Sequence, residues 1–89
     1  MLPDSENRRI EERRNLESEL LLSFDDPVHH EVRAQLVDYS KSGFRAVHEY
    51  SALCTGQVVR FQRMVAGGCA RVVWNRIIGE KVETGFVVL

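Results

Sequence analysis

Between Leu20 and Leu89 apolar and polar residues alternate in short runs separated by turn residues, whereas the first nineteen positions show no such order. "LLLSF" (20–24) is a short apolar run, and "DDPV" (25–28) follows with the Asp and Pro of a turn. "HEVRAQLVD" (30–38) puts Val32, Ala34 and Leu36 on one face and Arg33 and Gln35 on the other. "GFRAVHEY" (43–50) alternates again through Phe44, Ala46 and His48, and "SALCTG" (51–56) breaks the rhythm. "QVVRFQRMV" (57–65) predicts a strand with its basic and amide residues facing out. "AGG" (66–68) predicts a glycine hairpin turn with positive φ. "CARVVWNRI" (69–77) is the next strand, "IGEK" (78–81) a turn, and "VETGFVVL" (82–89) a last strand.

Six short strands with tight connections predict an all-β domain, an antiparallel barrel or sandwich. A closed barrel also removes exposed strand edges. The segment "MLPDSENRRIEERRNLESE" differs in kind. Residues 4–19 carry ten charged side chains, and Ile10 and Leu16 are too sparse for a buried helical stripe. The expected organisation is a charged N-terminal arm over residues 1–19, flexible or partly helical, followed by a six-stranded β-barrel over residues 20–89.

Composition narrows the function classes. The chain has 89 residues, 44 % of them hydrophobic, enough for one small core. A formal net charge of −1 gives no global basic field of the kind nucleic acid selects. The charged N-terminus has no signal-peptide pattern and no segment is long and apolar enough to span a membrane, so a cytoplasmic protein is expected. Cys54 and Cys69 form no CxxC pair and no histidine cluster has ligand spacing, so no metal site is expected. Two lone cysteines read as buried free thiols, with a single disulfide as the alternative. His29 and His30 flank the Pro27 turn and are expected at the surface, and His48 reads as a packing or surface residue. Asp25-Asp26 and Glu11-Glu12 read as turn and arm solvation. No nucleophile has a base placed in sequence, so no enzyme is expected.

Two constellations carry candidate chemistry. The first is "RRIEERR" (8–14), with Arg9 and Arg13 spaced as RxxxR and Arg8 and Arg14 beside them. The planar, permanently charged guanidinium suits phosphate and the guanine Hoogsteen edge. Taken alone, such a segment is a solvated charged stretch, with Glu11 and Glu12 as local partners. The second is "DYSKSG" (38–43), the pattern DxSxxG. A carboxylate accepts from the N–H groups of a guanine edge, and a serine hydroxyl donates to phosphate or closes a turn. A glycine allows positive φ or close approach of a ligand. Alone, this too is an Asx or Ser turn. Arg13 and Asp38 are 25 residues apart, room for a strand, a turn and a second strand, so both segments can share one end of a barrel.

In that order and spacing, "RRIEERR" and "DYSKSG", followed by "GGCARVVWNR" and "TGFVVL", resemble the PilZ domain, the bacterial receptor module for cyclic di-GMP. The resemblance spans nearly the whole chain. It implies a six-stranded barrel whose arginine arm wraps a cyclic dinucleotide against the barrel face. Residue by residue, Arg9 and Arg13 match the arginine motif, and Asp38, Ser40 and Gly43 match the second motif. Arg8 and Arg14 are adjacent extras; Arg14 does not serve in a shifted register because Ile10 stands at its partner position. Trp74 is the only tryptophan; it offers a stacking face for a base or else packs at the barrel rim, and Arg76 is a weaker candidate for the same region. Two departures stand out. Glu11 and Glu12 place negative charge between the motif arginines, and the chain stops at Leu89 without the helix that often follows the barrel, as a minimal domain or a fragment would.

The implied function is a second-messenger receptor with no cofactor other than its ligand, cyclic di-GMP. Its arm orders on binding and alters a surface read by a downstream protein or fused domain. Two other readings compete. One is a PilZ-like module that has lost nucleotide binding and acts only through protein contacts. The other is a small nucleic-acid-binding barrel, for which Arg60, Arg63 and Arg71 are a modest basic set without the interleaved aromatics such a face needs.

Overall fold

The computed structural model describes residues 19–89, all of them strand, turn or loop. Six strands follow one another: β1 (Glu19–Asp25), β2 (His29–Tyr39), β3 (Gly43–His48), β4 (Val58–Arg63), β5 (Ala66–Ile78) and β6 (Lys81–Val88). All pairings are antiparallel, and the order β1-β2-β3-β6-β5-β4 closes into a barrel through β1 against β4. The all-β barrel expected from the alternation is therefore present. The arm and its arginines precede Glu19 and lie outside the described residues.

The alternation works as the pleat requires. Leu20, Leu22 and Phe24 of β1 point inward and meet Ala34, Phe44, Ala46, Val59, Ala70, Val72 and Phe86 from the other strands. Phe44 anchors this core. Its ring stacks on Phe86 at 4.7 Å and meets Phe61 edge-on at 5.1 Å. Fully burying such a side chain contributes roughly 1.5–3 kcal/mol.

Two bulges change the phase. Leu36 pairs with Ala46 and Asp38 with Arg45, which leaves Val37 as an extra residue in β2. Val72 pairs with Phe86 and Trp74 with Gly85, which leaves Val73 extra in β5. A one-residue insertion flips every later side chain to the other face. Leu36 and Val72 accordingly face the core, whereas Asp38 and Trp74, each two positions on, face outward.

The connections explain the two ends. The turn after β2, the two-residue β4–β5 hairpin and the start of β1 share one end. At the other end the β3–β4 connection crosses the barrel mouth, because β3 and β4 are not neighbours. It plugs that mouth with buried Leu53, and Tyr50 packs edge-on against Phe24 at 5.3 Å.

Two expectations are corrected. The glycine run is not the hairpin turn. Met64 and Val65 make the turn, with Met64 at φ 51°, and Gly67 and Gly68 belong to β5. They are needed for space: a Cβ at Gly67 would stand 2.9 Å from the Phe61 carbonyl, and the Phe61 ring lies over Gly68. The cysteines are free but not buried. Cys54 is on the connecting loop, and Cys69 precedes inward-facing Ala70 and so takes the outward phase. Among the described residues no helix is long and apolar enough to cross a membrane.

Candidate functional site

The turn "DYSKSG" is held by its own backbone. The Ser40 N–H donates to the Gly43 carbonyl at 2.8 Å, and its Oγ donates to the same oxygen at 3.2 Å. The Val88 N–H donates to Ser42 O at 2.9 Å, which ties the turn to the end of β6. Gly43 does not have positive φ. It is required because a Cβ there would collide with the backbone carbonyl of Phe86 across the β3–β6 pair. The close approach expected of a ligand is made by the neighbouring strand.

Across the outer surface runs a row of four residues, one per strand: Asp38 on β2, Arg45 on β3, Gly85 on β6 and Trp74 on β5. The two bulges create this row. Gly85 supplies its floor, because the Trp74 indole lies directly over its backbone. Trp74 keeps part of its surface in solvent, at 36 % exposure. Together the turn and the row form an open groove of about 420 Å³ whose walls include Asp38, Ser40, Gly43 and Trp74. Tyr39 joins the same wall, and the Arg63 guanidinium sits 5.7 Å from the centre of its ring.

Electrostatically the groove is organised around Arg45. Its Nε donates to both oxygens of Asp38 at 3.0 and 3.1 Å, and its Nη2 donates to Oδ2 at 2.5 Å. The Arg45 guanidinium thus holds the Asp38 carboxyl below the usual carboxylate range, and Asp38 in turn raises Arg45. On its far side Nη1 of Arg45 reaches Oε2 of Glu83 at 3.4 Å. Glu83 is only 3 % exposed, and Arg76 donates to its other oxygen. A buried carboxylate requires such pairing, and here two guanidinium groups supply it.

The structure therefore brings Asp38, Ser40, Gly43 and Trp74 into one groove. Arg8, Arg9, Arg13 and Arg14 are outside the described residues. Arg76 turns onto Glu83 rather than lining the groove. Sequence reasoning missed Arg45, Tyr39, Glu83 and Gly85. For Arg45 a signal existed, since alternation through Phe44 and Ala46 puts it on the outer face beside the turn. A larger groove of about 780 Å³ borders β1, β2 and β3 and contains none of the candidate residues.

A second polar system lies inside the far end. The Tyr50 N–H donates to His48 Nδ1 at 3.1 Å, so Nδ1 is the unprotonated nitrogen. Nε2–H then donates to Thr84 Oγ1 at 2.7 Å, and the Thr84 hydroxyl donates to Asn75 Oδ1 at 2.6 Å. Asn75 Nδ2 donates to Leu53 O at 3.0 Å. Every donor has one direction, and the chain ends by fixing the plug loop. Burial lowers the His48 pKa, which suits a neutral imidazole. His48 is thus a packing residue, 2 % exposed. His29 is exposed as expected, and His30 is half-buried, stacked on Phe24 at 5.2 Å.

The chain matches no protein-family model, no curated protein and no solved structure. Among the described residues no group of three or more metal-ligating side chains gathers.

Proposed function

We propose that the protein is a PilZ-like cyclic di-GMP receptor domain whose N-terminal arginines close over a ligand seated in the Asp38–Trp74 groove. One observation carries the reading. Residues distant in sequence, the DxSxxG turn and the single tryptophan, line one groove through two independent bulges. The chemistry of its walls suits a purine nucleotide. Asp38 accepts a planar double N–H donor, and Trp74 and Tyr39 offer aromatic surface. Arg13 lies six positions before Glu19, and six residues of chain span at most about 20 Å. Glu19 is at the barrel end that carries the turn. Two guanidinium groups four positions apart suit the two phosphates of a cyclic dinucleotide. Ordering the arm presents a new surface to a downstream protein or fused domain.

A second reading has one observation in its favour. Both Asp38 oxygens are already bonded to Arg45, as in a purely structural ion pair. On that reading the barrel is a protein-interaction module that binds no nucleotide.

Calorimetric titration with cyclic di-GMP separates the two, with GTP as control ligand and Arg9→Ala, Arg13→Ala and Asp38→Ala alongside. The receptor reading expects saturable binding that each substitution weakens or abolishes, with amides 8–14 protected from exchange at saturation. A folded protein with no heat of binding would sink it.

A further inference from the structure

We infer that Arg45 is an internal occupant of the nucleotide site, a latch that holds the acceptor face of Asp38 until a guanine edge displaces it. The inference rests on the receptor reading above and assigns a residue that neither sequence motif contains.

The geometry leads there in three steps. First, Arg45 uses Nε and Nη2 as a fork on Asp38, touching both carboxylate oxygens. A carboxylate has one side on which both oxygens accept from two parallel donors. Second, a guanine edge presents the same pattern as that fork, two N–H groups on one planar N–C–N unit. Guanine and Arg45 therefore cannot hold Asp38 in this bidentate manner together. Third, Arg45 has a second anchor. Its Nη1 faces Oε2 of buried Glu83, and Glu83 also holds Arg76. A displaced guanidinium thus keeps one partner beside the groove, so opening the latch costs only its contact with Asp38. Both Asp38 and Arg45 side chains are about half exposed, at 55 % and 42 %, so the latch is an exposed ion pair that a ligand can open.

A latch of this kind sets selectivity. A ligand with a single donor at the acceptor face does not replace the two-pronged contact it breaks. Adenine, whose Watson–Crick edge has one donor and one acceptor, loses to Arg45. Guanine replaces the fork donor for donor.

The test uses the full chain, with arginine side chains labelled with nitrogen-15. In the free protein the Arg45 Nε–H resonance is expected to be slowed in exchange, and Asp38→Asn is expected to release it. Saturating cyclic di-GMP should release it in the wild type as Asp38→Asn does. Arg45→Gln, checked for an unchanged fold by its amide spectrum, should bind cyclic di-GMP about two- to fivefold more tightly, the range an exposed ion pair is worth. It should also gain affinity for cyclic di-AMP relative to wild type. If wild type binds while the Arg45 Nε–H stays protected, or Arg45→Gln binds more weakly, the latch is overturned and the receptor reading stands. Binding by Arg45→Gln but not by wild type supports the latch in its strongest form. Binding by neither variant overturns the receptor reading and the latch with it.

Discussion

The indole of Trp74 lies on the backbone of Gly85, in the space a side chain at position 85 would need. That contact sets the height of the tryptophan above the sheet and leaves its other face toward the groove. Gly85→Ala forces the indole to lift, because a Cβ would fall inside contact distance of three indole atoms. Overpacking of this kind costs about 1–3 kcal/mol. The melting temperature should fall by several degrees, about 4–8 °C per kcal/mol for a domain of this size. Trp74 emission should shift to the red in the same variant. A melting curve and an emission spectrum check both.

The relay from His48 to Leu53 predicts a comparable effect from an isosteric change. Thr84→Val keeps the volume but removes the hydroxyl, leaving His48 Nε2–H without an acceptor and Asn75 Oδ1 without a donor. Thr84 and His48 are both buried, so water does not replace the hydroxyl for the imidazole, whereas exposed Asn75 turns to solvent. The orphaned imidazole N–H costs about 1–3 kcal/mol. Urea unfolding of Thr84→Val should give a loss in that range, and exchange at the Tyr50 amide should quicken as the plug loop loosens. A variant as stable as wild type would show that the relay contributes nothing.

How much of this was legible before the structure differs between fold and site. The strands were legible because Val32, Ala34, Leu36, Phe44, Ala46 and His48 keep strict period two. The turn at Ile78–Lys81 was legible through Gly79, which takes φ 61°. The glycines at 67 and 68 misled because glycine marks either a turn or a close approach, and only packing against Phe61 decides which. Gly43 was placed in the right motif for a different physical reason. The groove itself was not legible. Simple alternation puts Trp74 on the same face as Val72, and Asp38 on the same face as Leu36. Only the bulges at Val73 and Val37 turn them outward, and a bulge leaves no mark in the hydrophobic pattern. The Arg45–Asp38 fork needed register, because it joins residues seven apart across a turn.

Two histidines pull stability in opposite directions across one pH range. Burial lowers the pKa of His48, so the unfolded chain binds the proton more readily. Its contribution is present above the unfolded value of about 6.5 and is lost as pH falls through that value toward the folded one. His29 is bonded by Asp25 at 3.0 Å and Glu31 at 3.2 Å, and these bonds raise its pKa. Its contribution is present below about 6.5 and is lost as pH rises through the raised folded value. The exposed His29 cluster is the weaker of the two. Wild type should therefore lose stability from pH 7.5 to pH 5, and His29→Gln should lose it more steeply. Urea midpoints at the two pH values check this; a His29→Gln variant with a shallower acid loss would reverse the assignment.

Because the chain has a single tryptophan, the groove carries its own reporter. A purine that stacks on the free face of Trp74 should quench or shift its emission, and the change should saturate with the calorimetric binding curve. Base–aromatic stacking is worth about 1–3 kcal/mol per base. Trp74→Ala should accordingly bind cyclic di-GMP about five- to over a hundredfold more weakly. Trp74→Phe should recover part of that loss, since phenylalanine keeps an aromatic face of smaller area. The pattern separates stacking from mere support of the sheet. A supporting role would lower the melting temperature of Trp74→Ala and leave affinity at wild-type values once the protein is folded. A stacking role lowers affinity at temperatures where the variant is fully folded, and the Phe variant falls between. Equal affinity for all three proteins would move Trp74 out of the site and leave Tyr39 as the aromatic wall to be tested in its place.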